Sequence, residues 1–318
     1  MVIIKLMGGL GNQMQQYALY QKFIALGRET YLDDSWFSVP VSDNCTSRSL
    51  ELGLFPEADY KIADKEQISC VIGRDNVFSR IRSHIFKGAS GYIKESGLYM
   101  ADIFERDNIY LEGYWSAEKN YADILPLLRD KFNFDKMLIN APAGSIEAAQ
   151  QISGSAYSCS IHIRRGDYLN SENAALFGGI ATPAYYDSAI GYIRETHPET
   201  KFYIFSDDPG YAREVYGDDP SCFIVDVNHG KDSFFDIYLM SLCNAHICAN
   251  SSFSFWGVRL DKDHNPVASS LPGYESISPS NDICIRPTIH VRTQEFDADI
   301  MKDLWKGWTF IDPEGVIR

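Results

Sequence analysis

The chain opens on a short apolar run, Val2 to Met7, whose β-branched residues predict a buried strand, and glycines at 8, 9 and 11 follow at once. From Gln13 to Leu26 apolar residues recur at Met14, Tyr17, Ala18, Phe23 and Ile24, close to helical spacing, and Gly27 is a natural stop. Glu29 to Leu32 then reads as a second strand ending in Asp33-Asp34. Such a β-α-β opening is expected of a parallel sheet covered by helices. Between residues 35 and 110 polar turns alternate with short amphipathic pieces. A basic patch there (Arg74, Arg80, Arg82, Lys87) reads as a solvated helix face. Ile109 to Leu111 predicts a strand and Ala117 to Lys131 a helix. The segment from Asn140 to Ala156, rich in Ala, Ser, Gly and Pro, is the candidate junction, which divides the chain into domains 1–145 and 146–318.

A second α/β series follows. Ser158–Ile163 is a strand, Pro183–Thr196 a helix, and Lys201–Phe205 a strand that runs into Ser206-Asp207-Asp208. A helix from Gly210, a strand at Cys222–Val225, a helix at Phe234–Cys243 and a strand at His246–Ala249 complete the pattern, the last entering Asn250-Ser251-Ser252. The polar loops stand at the carboxyl ends of parallel strands, where ligands bind in such folds. The expectation is two Rossmann-like domains facing each other across a cleft.

Composition narrows the function classes. The net charge is −14, so the average surface repels nucleic acid, and a phosphate ligand needs a local cluster of donors. The first residues lack a basic n-region, and no window approaches the roughly 20 apolar residues of a membrane span. The 7 cysteines include no CxxC, which suits a reducing compartment. A cytoplasmic location is expected, with no transmembrane segment; a peripheral membrane contact is compatible with it.

The motifs carry the chemistry. Gly9-x-Gly11 after a strand, with an acidic pair about twenty residues on, suggests a dinucleotide loop, but Met14 replaces the third glycine that lets helix and strand approach. A nicotinamide-dependent oxidoreductase is therefore a weak alternative, as is a non-catalytic sugar-nucleotide-binding module. Asn12 and Gln13 either cap the helix or face a polar ligand such as a sugar. In Ser160-Ile161-His162-Ile163-Arg164-Arg165-Gly166-Asp167, His162 and Arg164 point the same way. A guanidinium at a strand end is satisfied by a phosphate or by an ion pair. One arginine is expected to serve each purpose, with Asp167 as the partner of Arg165. Asp207 or Asp208 could accept hydrogen bonds from a guanine edge or a ribose, and either could instead cap the next helix. Ser251 and Ser252 open a helix, which is a phosphate seat or a plain N-cap. The histidines are scattered, with no pair at metal-ligand spacing. Asp261-x-Asp263 falls in a polar loop and Asp297-x-Asp299 opens a helix, so neither reads as a metal triplet.

GGLGNQM near the start, LEGYWSAEK at 111–119, HIRRGDY, FSDDP and NSSFSFWG, in this order over roughly residues 1 to 260, resemble the bacterial α-1,2-fucosyltransferases of glycosyltransferase family 11. The resemblance implies a GT-B-like fold and an inverting, metal-independent transfer of L-fucose from GDP-fucose to the 2-hydroxyl of a galactoside. The acceptor would be lactose, N-acetyllactosamine or a polysaccharide intermediate. No cofactor is implied. It places the donor on the second domain and the acceptor on the first. Arg164 would hold the diphosphate, with Arg165 beside it, and His162 and one of Asp207 or Asp208 would contact guanosine. Ser251, Ser252 and Phe253 would close on the phosphates. Asn12 would lie near the reacting sugars, and Gln13, Asp33, Tyr114 and Trp115 are acceptor-side candidates. Asp33, Glu112 and Glu172 are carboxylates that could take the acceptor proton, and the leaving phosphate could take it instead.

Overall fold

The computed structural model describes residues 1–38, 48–73, 91–169, 171–269, 271–274, 279 and 282–318, with the side chains of Asp167, Ser171 and Glu172 left out. The basic patch at Arg74, Arg80, Arg82 and Lys87 lies outside the described residues. The chain forms two compact units, Met1–Phe132 and Asn133–Arg318. The division falls before the Ala/Ser/Gly/Pro-rich segment that was expected to carry it, because that segment is structured. Its helix Ala143–Ser153 packs on the helix Phe235–Ser241, the Ser145 hydroxyl donates to the Asn228 side-chain oxygen, and the Phe134 ring stacks on Phe234.

In the first unit, β1 (Val2–Lys5), β2 (Thr30–Asp33), β3 (Tyr92–Lys94) and β4 (Ile109–Glu112) form a parallel sheet in the order β2-β1-β4-β3. The first helix, Leu10–Ala25, starts three residues earlier than its apolar spacing predicts. Gly9 is its N-cap, and the Asn12 and Gln13 N–H groups both bond back to the Gly9 carbonyl. Gly8 makes the preceding turn at φ 81°. The helix expected over Ala117–Lys131 resolves into two 3₁₀ turns, Glu118–Asn120 and Ala122–Ile124, and a helix only over Leu125–Lys131. Pro126 is the reason. It has no N–H to give to Ala122, and its ring clashes with that carbonyl, so the proline is tolerated only in a first turn.

The second unit holds β5 (Ser158–Ile163), β6 (Lys201–Ser206), β7 (Cys222–Val225), β8 (Ala245–Ile247), β9 (Ile283–Pro287) and β10 (Trp308–Ile311), all parallel, in the order β10-β9-β8-β5-β6-β7. Read from β7, this is the doubly wound order 3-2-1-4-5-6. β5 is buried along its whole length. Ile161 and Ile163 pack into the core formed with Tyr185, Ile193, Phe202, Ile204 and Ile247. By alternation Ser160 and His162 face the other side. The chain is thus a pair of parallel α/β units, as a GT-B-like fold requires. Among the described residues no helix is long and apolar enough to cross a membrane.

Candidate active site

In a doubly wound sheet the strand order reverses beside the first strand, and loops leaving the carboxyl ends there part to leave a crevice. In the second unit that point lies between β5 and β8. Residues 164–169 leave β5 there, and Asn250-Ser251-Ser252 lies just beyond β8. The two sides are tied together. The Tyr168 hydroxyl donates to the Asn250 carbonyl at 2.9 Å, and the Asn250 amide donates to the Phe177 and His290 carbonyls at 3.2 and 3.0 Å.

Both arginines are paired with carboxylates just beyond β6. Arg164 Nη1 lies 2.9 Å from Asp207 Oδ2, and Arg165 Nε lies 3.1 Å from Asp208 Oδ2. Arg165 also lies flat over the Tyr211 ring, 3.7 Å from its centroid. The side chain of Asp167, the expected partner of Arg165, lies outside what the structure describes; the partner described is Asp208. The Asp207 and Asp208 contacts follow from β6 running parallel to β5, with Ile163 beside Ser206, which brings residues 207 and 208 up to 164 and 165. The two aspartates now have distinct tasks. Asp208 caps the helix Pro209–Tyr216 by accepting from the Tyr211 N–H at 3.1 Å. That N–H and the Arg165 guanidinium hold its carboxyl below the usual range. Asp207 instead accepts the Arg165 backbone N–H at 2.8 Å and lies against Gly166, where an added Cβ would come within 2.6 Å of Oδ2.

His162 is buried, and burial followed by the Arg164 charge lowers its imidazole to about 3, so the ring is neutral at any physiological pH. Its Nδ1 is buried with no hydrogen-bond partner among the described residues. Such a group is costly unless something else satisfies it. The Phe253 ring lies 5.7 Å away. The Ser251 hydroxyl is the N-cap of the helix Ser252–Leu260, accepting the Phe253 N–H at 3.3 Å, whereas Ser252 is half-buried in the first turn.

The first-unit candidates fare unevenly. Gln13 is fully buried. Its amide donates to the Gly8 and Ser49 carbonyls and accepts the Glu51 N–H, so it staples the glycine loop. Asn12 stands beside Gly8, its side-chain nitrogen 2.6 Å from where a Cβ would be. Asp33 is buried and accepts from the Tyr110 hydroxyl at 2.6 Å and the Ser35 N–H at 2.9 Å. Glu112 is bridged to Lys5 at 2.8 Å, and that contact holds its carboxyl below the usual range. That contact makes Glu112 a poor base. The Trp115 ring is core, 1% exposed, so it offers no sugar platform; Tyr114 beside it is 47% exposed. Glu172 stands in the first turn of the helix Ser171–Phe177, and its side chain lies outside what the structure describes.

Several groups at this end of the first sheet carry no local sequence signal. Glu95, Glu51, Gln16 and Arg48 owe their positions to contacts far along the chain. Burial raises the carboxyls of Glu95 and Glu51. The fold also assembles a set of metal-ligand types that the histidine spacing does not announce. One atom each of His264, Asp282 and Cys284 lies within 4.8 Å of the others. The group sits at the amino end of β9, the opposite end of the sheet from Arg164. Of the Asp-x-Asp triplets, Asp261 accepts the Asp263 N–H and faces His246 Nε2 at 3.2 Å, while Asp297 caps the helix Ala298–Leu304, as its place in the sequence predicts.

The model for Glycosyl transferase family 11 matches residues 1–265. An O-antigen biosynthesis glycosyltransferase of Escherichia coli, WbnK, is 29% identical over 285 residues, covering 83% of this chain and 92% of its own. An Escherichia coli alpha-1,2-colitosyltransferase is 27% identical over 277 residues, covering 81% and 87%. Among solved structures, the fucosyltransferase NodZ from Bradyrhizobium aligns with a TM-score of 0.41 at 14% identity, over 80% of this chain and 92% of its own.

Proposed function

From the premise that this chain belongs to glycosyltransferase family 11, we propose that it is a galactoside 2-α-L-fucosyltransferase, moving L-fucose from GDP-fucose to a galactoside 2-hydroxyl with inversion and without a metal. The observation that carries this reading is the arginine pair at the switch point of the second sheet, beside a buried neutral imidazole with an unsatisfied nitrogen. As the C1–O bond of the donor breaks, its electron pair passes to the β-phosphate oxygen. Arg164 exchanges its Asp207 contact for that oxygen and stabilises the charge as it develops, which is differential binding of the transition state. His162, neutral, meets the guanosine portion. The acceptor hydroxyl oxygen bonds to C1 on the opposite face, and its proton passes to Glu172 or to the leaving diphosphate.

The name of one relative supports a second reading in which the transferred sugar is colitose. Nucleoside-diphosphate release, measured with GDP-fucose, a GDP-linked colitose donor and UDP-sugars across a panel of galactosides, together with thermal stabilisation by NAD, tests both readings. Product NMR then assigns the linkage. GDP release with the colitose donor alone favours the second reading. Stabilisation by NAD with no GDP release defeats both.

A further inference from the structure

In the first sheet the order reverses between β1 and β4, and the turn Gly113-Tyr114-Trp115 leaves β4 at that point. The turn is fastened from every side. The Glu95 carboxylate, just past β3, accepts the Tyr114 N–H at 2.6 Å and the Trp115 N–H at 2.9 Å. The Gln16 amide, on the first helix, donates to the Gly113 carbonyl at 3.0 Å and accepts the Met7 N–H at 2.9 Å, so it bridges the ends of β1 and β4. Asn120 donates to the Trp115 carbonyl at 3.3 Å.

The backbone held this way is an unfavourable one. Trp115 has φ 53°, the left-handed region that a tryptophan rarely enters. Gly113 admits no side chain, because a Cβ there would lie 2.4 Å from Glu95 Cβ. Glu95 is mostly buried, and burial raises its carboxyl even against the two N–H bonds. Such strain persists only where the surroundings over-determine it, and here three buried polar side chains do so. The outcome is one exposed aromatic ring, Tyr114, on a rigid turn at a crevice, while the neighbouring Trp115 is turned into the core.

We propose that this turn is a saccharide subsite, in which the Tyr114 ring takes the apolar face of an acceptor hexose and Glu95 is the positioning residue that sets the ring. The subsite rests on the transferase reading above, with the acceptor on the first unit. A pyranose presents C–H groups on one face and hydroxyls at its rim, and a fixed aromatic ring is pre-organised to receive that face without ordering a loop. Glu95→Gln keeps the size but turns an N–H donor toward one of the two backbone donors, so the turn loses an anchor.

The test compares wild type, Glu95→Gln, Tyr114→Ala and Tyr114→Phe by acceptor KM, donor KM, GDP affinity and melting temperature. Saturation-transfer NMR with a galactoside adds a readout that needs no turnover. Glu95→Gln and Tyr114→Ala should each raise the acceptor KM by about tenfold or more, with donor KM and GDP affinity unchanged. Tyr114→Phe, which keeps the ring, should raise the acceptor KM less than Tyr114→Ala does. Tyr114 is exposed, so its alanine variant does not threaten the fold. Unchanged acceptor KM and unchanged saturation transfer for Tyr114→Ala would overturn the subsite. A lower melting temperature with no acceptor effect for Glu95→Gln would reduce that residue to a structural role. If wild type releases no GDP from any donor, the transferase reading fails instead, and the NMR experiment still decides whether the turn binds sugar.

Discussion

Arg164→Lys should cripple turnover and leave the fold almost untouched. Lysine keeps the charge and can still reach Asp207, but it loses the planar fork that meets two oxygens of a leaving phosphate. Removing one donor aimed at developing charge costs ~3 kcal/mol of barrier, or about a hundredfold in rate. The stability change is set by a different contact. The Arg164–Asp207 pair is about a quarter exposed on each side, and pairs of that kind contribute ~0–1 kcal/mol. The kinetic loss should therefore exceed the stability loss severalfold. Arg165→Lys should behave in the opposite way. Arg165 packs flat on Tyr211 and holds the aspartate that caps the next helix, so its melting temperature should fall while turnover largely holds. The assay is GDP release at saturating donor and acceptor, together with thermal unfolding, for both variants. Near-normal turnover for Arg164→Lys, with a hundredfold loss at Arg165→Lys, would refute the division of labour.

Gly166→Ala places a methyl 2.6 Å from Asp207 Oδ2, the oxygen paired with Arg164, so that carboxylate must shift; weaker GDP binding by calorimetry is expected, with a cost to folding of about 1–3 kcal/mol. Asp236 is half-buried beside Asn228, and desolvation raises its carboxyl to about 7. Its folded value lies above the unfolded one, so its contribution is full below about pH 4 and is lost as pH rises through 7, at roughly 1.4 kcal/mol per unit. Asp236→Asn should flatten that fall in a pH series of denaturant melts, and parallel wild-type and variant curves would count against it. Turnover should persist in excess EDTA, because the proposed mechanism gives the charge on the leaving diphosphate to Arg164; complete loss that manganese or magnesium restores would defeat this.

Much of the second unit was legible because its signals are local. β5 and the helix Pro183–Thr196 occupy the residues that their periodicity and N-terminal proline predict. The strand-end loops follow from them, and so does the place of Arg164. Which carboxylate meets which arginine was not legible. That depends on the register of β6 against β5 and on the missing Cβ of Gly166, both properties of the folded backbone. Trp115 and Tyr114 look alike as aromatic candidates, and only the left-handed turn sends one inward and the other outward. Glu95 had no signal at all, since its role comes from a partner about twenty residues away, in the turn beyond the neighbouring strand.

The Tyr168–Asn250 bond crosses the seam between the halves of the second sheet, one built from β5, β6 and β7 and the other from β8, β9 and β10. A nucleotide seated at that seam would touch both halves, and so would work as a rivet. Hydrogen exchange in β5 and β8, the two strands that flank the seam, should then slow together on GDP binding, because their mutual bonds open when the seam parts. A chain truncated after β7 would retain both arginines and still lack a site.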